Sequence, residues 1–179
     1  MPTPLGHALV GAGLAAAVLP PQGRRRLAWV ATAAAFACLP DLDFLPALAM
    51  GDLGFHRGPL HSLPIAAALG LLAMALLGRH RLREGFAVLL AVMSHGPLDA
   101  LTTRTGGGVA LLWPVFPDRW RLGWFQIPSL TLSGGWTEIF TAFATTVLVE
   151  SLMFLPFAAL AWHLHLLRPR GLAPHTAKT

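Results

Sequence analysis

Residues 84–103 read EGFAVLLAVMSHGPLDALTT. An uncharged apolar run from Gly85 to Met93 leads directly into His95 and Asp99. Twenty mostly apolar residues are the length of a helix that crosses a bilayer. His95 and Asp99 stand at i and i+4, so they project from one helix face. In water such a pair needs no explanation. In a lipid-embedded helix, ionisable side chains are expensive and mark a functional site.

The rest of the chain says which solvent applies. Of 179 residues, 55% are hydrophobic and 12% charged, with a mean hydropathy of +0.61. Soluble domains are about a quarter charged, so this chain cannot cover a globule with polar surface, and lipid is the expected solvent. Four further apolar stretches run over Leu5–Pro20, Leu27–Leu39, Ser62–Gly78 and Thr137–Leu167. Ser62 is a candidate N-cap with Pro64 in the permissive first turn. The last stretch exceeds what a bilayer requires, so it tilts or is kinked at Pro156. The first two are short, which leaves a re-entrant element open, and Phe44–Met50 is too short to span. Residues Gly106–Gly135, rich in Gly, Pro and Trp, read as an ordered interfacial loop. The expected fold is all-α, a multi-pass transmembrane bundle of about five helices. It forms a single domain over residues 1–167, followed by a disordered cytoplasmic tail over 168–179. The small triplet Ala15-Ala16-Ala17 resembles a cleavage site, but no positive residue precedes the run and arginines follow it, so the first helix is expected to be retained. The single cysteine, Cys38, excludes an intrachain disulfide and a cysteine-rich zinc site. The net charge of +5 does not point to nucleic acid, because the basic residues punctuate apolar runs and form no patch interleaved with aromatics.

Those basic residues set an orientation. Arg24, Arg25 and Arg26, then Arg79, Arg81 and Arg83, then Arg168, Arg170 and Lys178 fall on one side of a five-helix arrangement. Only Arg57, Arg104, Arg119 and Arg121 fall on the other. The first group marks the cytoplasm, which puts the N-terminus, the Asp41–His61 segment and the Arg104–Trp136 loop outside.

The acids and histidines gather on that outer side. His7 lies in the first turns of the first helix. Asp41 and Asp43 follow the second, His56 and His61 precede the third, and His95 and Asp99 occupy the outer half of the fourth. Seven candidate ligands from four distant stretches thus converge on an orientation fixed by Lys and Arg alone. Asp41 and Asp43, at i and i+2 in a proline-bounded turn, are expected to reach one ion from an extended segment. His56 and His61 flank the tight stretch Arg57-Gly58-Pro59-Leu60. Imidazole with carboxylate suits a divalent metal, with zinc the default and Mn or Fe alternatives. Seven ligands exceed one tetrahedral zinc, so two or more ions are expected.

Each signal has a plainer alternative. His7 could be an interfacial polar residue, Asp41 and Asp43 a helix end, His56 and Arg57 a solvated loop, and His95 with Asp99 a structural ion pair. Two carboxylates beside apolar helices are nonetheless costly unless paired or metal-bound. Glu150, midway along the last helix, could pair with an arginine or with a site histidine, or be structural. His80 and Glu84 form an H-x-x-x-E pattern on the inner side, away from the other ligands, and His163, His165 and His175 also lie at the inner end. Ser62 and Ser94 flank ligands without the base and orienting group that serine catalysis needs.

Together these residues resemble a known family. Gly6-His7, Pro40-Asp41-Leu42-Asp43, His56 through Ser62, Ser94-His95 through Thr102, and Gly106 through Pro114 follow the motif order of the YdjM-like membrane-bound metal-dependent hydrolases. The resemblance covers about residues 6 to 114. Leu60 departs from it, standing where the family usually has Thr, which removes a hydroxyl but no ligand. A fainter similarity is to zinc-dependent phospholipases C, through the H-x-x-x-D helix of His95 and Asp99. The resemblance implies metal-dependent hydrolysis in a bacterial inner membrane.

The expected activity is hydrolysis of a phosphoester or ester of a lipid or lipid-linked substrate by a metal-activated water. His95 lies roughly eight residues from the outer end of its helix, about 12 Å deep at 1.5 Å per residue, where a headgroup rather than a soluble substrate would be met. His7, Asp41, Asp43, His56, His61, His95 and Asp99 are the expected ligands. Asp43 or Asp99 is the expected base, and Arg57 the group that steadies a phosphoryl oxygen. Membrane lipids are the expected surroundings. A non-catalytic divalent-metal-binding or transport protein is the alternative.

Overall fold

The computed structural model describes residues 2–20, 25–52, 55–102, 107–124, 127 and 135–166. Expectations for Arg24, Thr103, Arg104, Gly106, Arg168, Arg170, His175, Lys178 and the tail lie outside these residues, as does the His165 side chain. Among the described residues there are six α-helices: α1 Pro4–Val18, α2 Arg26–Ala37, α3 Phe44–Met50, α4 Leu63–Leu77, α5 Leu82–Thr102 and α6 Trp136–Leu166. Short 3-10 turns at Leu39–Asp43, Pro59–His61 and Arg79–Arg81 join them.

Local chemistry sets the boundaries. Thr3 caps α1 by accepting from the Leu5 amide, with proline in the first turn. Ser62 caps α4 as the sequence predicts, accepting from the Ile65 amide. Pro40 follows α2, and there the chain tightens into a 3-10 turn through Asp43. The extended segment expected for Asp41 and Asp43 is therefore corrected to a helical turn. α4 ends at Gly78, whose φ of 72° suits glycine.

α1 packs against α2, α5 and α6, and α5 also packs against α2 and α4. The interfaces are made by small side chains. Ala15, Ala33, Ala37, Ala87 and Ala91 join Leu19 and Val30 in one buried cluster. A Cβ added to Gly70 would lie 2.4 Å from Leu89, so the α4–α5 crossing depends on that missing atom. Close approach through small residues is how helices associate where lipid removes the hydrophobic drive. The outer surface is correspondingly apolar: Leu72 and Leu76 on α4, and Phe140, Leu148 and Leu152 on α6, are exposed. His7, Asp43, His61, His95, Asp99 and Glu150 are buried. An apolar exterior over a polar interior suits a lipid solvent.

Of the expectation of an all-α bundle with five spanning helices, the all-α architecture holds among the described residues, while length and apolarity do not establish all five spans. Among the described residues, one helix segment, Trp136–Leu164, is long and apolar enough to cross a membrane by itself. Two bent pairs pass the same test jointly: Arg26–Ala37 with Leu39–Met50 at 40°, and Leu63–Leu77 with Arg79–Leu101 at 110°. The count is thus one, or up to three if each bent pair is one span. The physical reason is breakage. α2 gives way after 12 residues to the Asp-bearing turn, and α1 and α4 each stop at 15.

Candidate metal centre

Four segments deliver side chains to one place. α1 brings His7. The turn after α2 brings Asp41 and Asp43. The segment before α4 brings His56, Arg57 and His61. α5 brings His95 and Asp99. All seven expected ligands meet, as does Arg57, and the helix face shared by His95 and Asp99 points into the cluster.

His7 Nε2 is 3.4 Å from Asp99 Oδ1. Its ring stacks on His95 with centroids 3.7 Å apart and planes 13° from parallel. His61 Nε2 faces Asp41 Oδ1 at 3.6 Å and Asp99 Oδ2 at 3.5 Å. His95 Nε2 faces Asp41 Oδ1 at 3.4 Å and Asp99 Oδ2 at 4.0 Å. Asp41 and Asp99 thus lie between the imidazoles and are shared by them.

The other ring nitrogens fix tautomers. His95 Nδ1 donates to the Ala37 carbonyl at 2.7 Å. A carbonyl only accepts, so the proton is on Nδ1, and Nε2 turns its lone pair toward the carboxylates. Asp43 serves two histidines: Oδ1 is 2.5 Å from His56 Nδ1, and Oδ2 is 3.1 Å from His61 Nδ1. Asp43 Oδ2 also accepts from the Arg57 amide at 3.1 Å. Arg57 has φ of 63°, in the left-handed region that a non-glycine residue enters at a cost of about 1–2 kcal/mol. That conformation aims its amide at Asp43, while its carbonyl accepts from the Ala110 amide at 3.0 Å. The Arg57 side chain turns inward, with Nε 4.0 Å from Asp99 Oδ2.

Electrostatically, the cluster is a packing of bases against acids. His61 lies in the connecting segment before α4. Burial by itself would lower its pKa, but the close approach of the Asp41 and Asp43 carboxylates and the nearby Asp99 charge raise it from 6.5 to about 9.

The donor set fits a divalent ion. Both ring nitrogens of His7, both oxygens of Asp41, and the Nε2 atoms of His61 and His95 are buried without a well-formed hydrogen bond. Unpaired buried polar atoms are costly, and a cation shared by lone pairs and carboxylates would satisfy them together. Two groups could each hold an ion, His7 with His95 and Asp99, and Asp41 with His56 and His61. Within each group the ligand atoms lie within 4.8 Å of one another.

Sequence reasoning left two supporting residues undefined. Glu150, on α6, accepts from the Thr3 amide, from the Thr3 hydroxyl at 2.5 Å and from the Gly6 amide at 3.1 Å. It clamps the start of the helix whose next residue is His7. Gly96 lets α5 approach the site, since a Cβ there would lie 2.0 Å from the His61 carbonyl oxygen. The Gly-Pro pair after His95 was a visible signal for the second. For the first, a lone acid in an apolar run gave no indication of its partner. Ser94 bonds back to the Ala91 carbonyl within its own helix, and His163 is exposed.

No curated protein and no solved structure matches the chain. The family described as YdjM inner membrane protein matches residues 1–168, so the chain belongs to that family.

Proposed function

We propose that the protein is a membrane-embedded, metal-dependent hydrolase acting on a phosphoester or ester of a lipid or lipid-linked substrate. The observation that carries the reading is the set of buried imidazole nitrogens and Asp41 oxygens that face one another without a well-formed hydrogen bond. His7, Asp41, His56, His61, His95 and Asp99 would hold two divalent ions, zinc first and Mn or Fe next given the mixed nitrogen and oxygen donors. When bound, the ions supply Lewis acidity toward a phosphoryl oxygen and lower the pKa of water toward about 7.

The chain's own residues then have separable tasks. Asp43 holds His56 and His61 by Nδ1 and has both oxygens engaged. Asp43 or Asp99 serves as the base for the attacking water. Arg57, its guanidinium at the cluster, binds a phosphoryl oxygen. In this reading α1, α2, α4, α5 and α6 each cross the inner membrane. The arginine-rich connections face the cytoplasm and the cluster faces the opposite side, at headgroup depth.

The test is release of phosphate or headgroup from a panel of lipid phosphoesters and esters by purified protein loaded with Zn²⁺ or Mn²⁺. Chelator-sensitive release that Asp99→Ala abolishes is expected. Metal-loaded protein inactive across the panel would sink the catalytic reading and favour the non-catalytic metal-binding alternative.

A further inference from the structure

Resting on the metal-centre reading above, we infer that six of the seven expected ligands form two unequal ion sites, one enclosed and permanent, one at the rim and exchangeable, with Asp43 supporting the rim. The enclosed site is His7, His95 and Asp99. The rim site is Asp41, His56 and His61, and it is the one substrate meets.

Burial separates them. The side chains of His7, His95 and Asp99 are all 0% exposed, whereas of the rim ligands His56 is 12% and Asp41 16% exposed, with His61 at 0% forming their inner wall. Arg57, expected to bind anions, is also 16% exposed, and its Nε reaches inward to Asp99 Oδ2 at 4.0 Å, so it lies between the exposed edge and the enclosed site. Elements separate them too. The enclosed ligands come from α1 and α5, which pack directly on each other, and the stacked His7 and His95 rings hold one another in place. An ion there leaves only if two packed helices part. The rim ligands come from a 3-10 turn and from the connection before α4, so a swing of His56 or Asp41 suffices to release theirs. Asp41 Oδ1, 3.4 Å from His95 Nε2 and 3.6 Å from His61 Nε2, couples the two sites. An anionic headgroup arriving at the exposed edge meets Arg57 and the rim ion first.

The experiment is zinc loading of the detergent-purified full chain, followed by a time course of zinc transfer to an excess of a chelating dye. The expected result is two ions per chain leaving in two resolved phases, one fast and one slow. His56→Ala should delete the fast phase and keep one slow ion, and His7→Ala should delete the slow phase. A single phase for both ions in the wild type overturns the inference without any variant. One ion per chain with hydrolysis intact overturns it and leaves the hydrolase reading standing. No ion at all overturns both.

Discussion

His61 presents Nδ1 to Asp43 Oδ2 at 3.1 Å, which turns its other nitrogen toward Asp41 and Asp99. Asp43 receives three groups in all, the Nδ1 atoms of His56 and His61 and the Arg57 amide. An ionised carboxylate accepts from His56 and the Arg57 amide and attracts His61 as an ion-pair partner, whereas an asparagine amide would turn N–H toward at least one of them. Asp43→Asn is expected to stay folded and to weaken metal binding by about 10- to 100-fold. Competition against a dye of known affinity measures this, and unchanged affinity would remove Asp43 from the support of the site.

The raised pKa of His61 gives the site a pH dependence of defined sign. In the ion-free protein, the stability from its carboxylate partners is fully present below 6.5 and is lost as pH rises through about 9. An ion competes with the proton on His61, so its apparent affinity climbs by up to roughly tenfold per pH unit until about 9 and then levels. Melting temperatures with and without chelator, from about pH 6 to 9, should show the metal-dependent increment growing with pH. An increment that shrinks toward high pH contradicts this protonation scheme.

Gly96 is predicted to be intolerant of any side chain. A Cβ 2.0 Å from the His61 carbonyl oxygen forces α5 away from the turn that carries His61. Overpacking of this kind costs about 1–3 kcal/mol, so Gly96→Ala should lower the melting temperature and also reduce bound metal. A variant with wild-type metal content would show that α5 can shift without disturbing the ligands.

Glu150 is predicted to matter through His7. Glutamine keeps one acceptor oxygen where the carboxylate serves Thr3 twice and Gly6 once. Glu150→Gln should destabilise the protein by about 1–3 kcal/mol and lower metal retention, read by melting and by elemental analysis. Retention equal to wild type in a destabilised protein would confine Glu150 to holding α6 on α1.

The gathering of the site's residues was more legible in the sequence than the breaks in the helices were. His95 and Asp99 could be placed on one face because helical spacing is local, and the histidines around Arg57-Gly58-Pro59-Leu60 announced a tight turn through the glycine and proline. Ser62 as a cap was equally local. The number of crossings was not legible, because hydropathy adds up apolar residues and does not see where a helix breaks. The run ending at Leu39 looked like a short span, yet past Pro40 it bends by 40° into the segment ending at Met50. The 3-10 conformation of Asp41 and Asp43 is equally hidden, since alternate carboxylates suit a strand or a 3-10 turn alike. The pairing of Glu150 with Thr3 spans 147 positions and left no trace in either neighbourhood.

Elemental analysis of detergent-purified protein, wild type beside His61→Ala and Asp99→Ala, tests the central claim most directly. Melting curves would verify that each variant is folded. Near-stoichiometric divalent metal in the wild type, lost or sharply reduced in both variants, is the predicted result. Wild-type protein without metal above background, even after reconstitution with zinc or manganese, would contradict the account and reduce the seven side chains to a packing network.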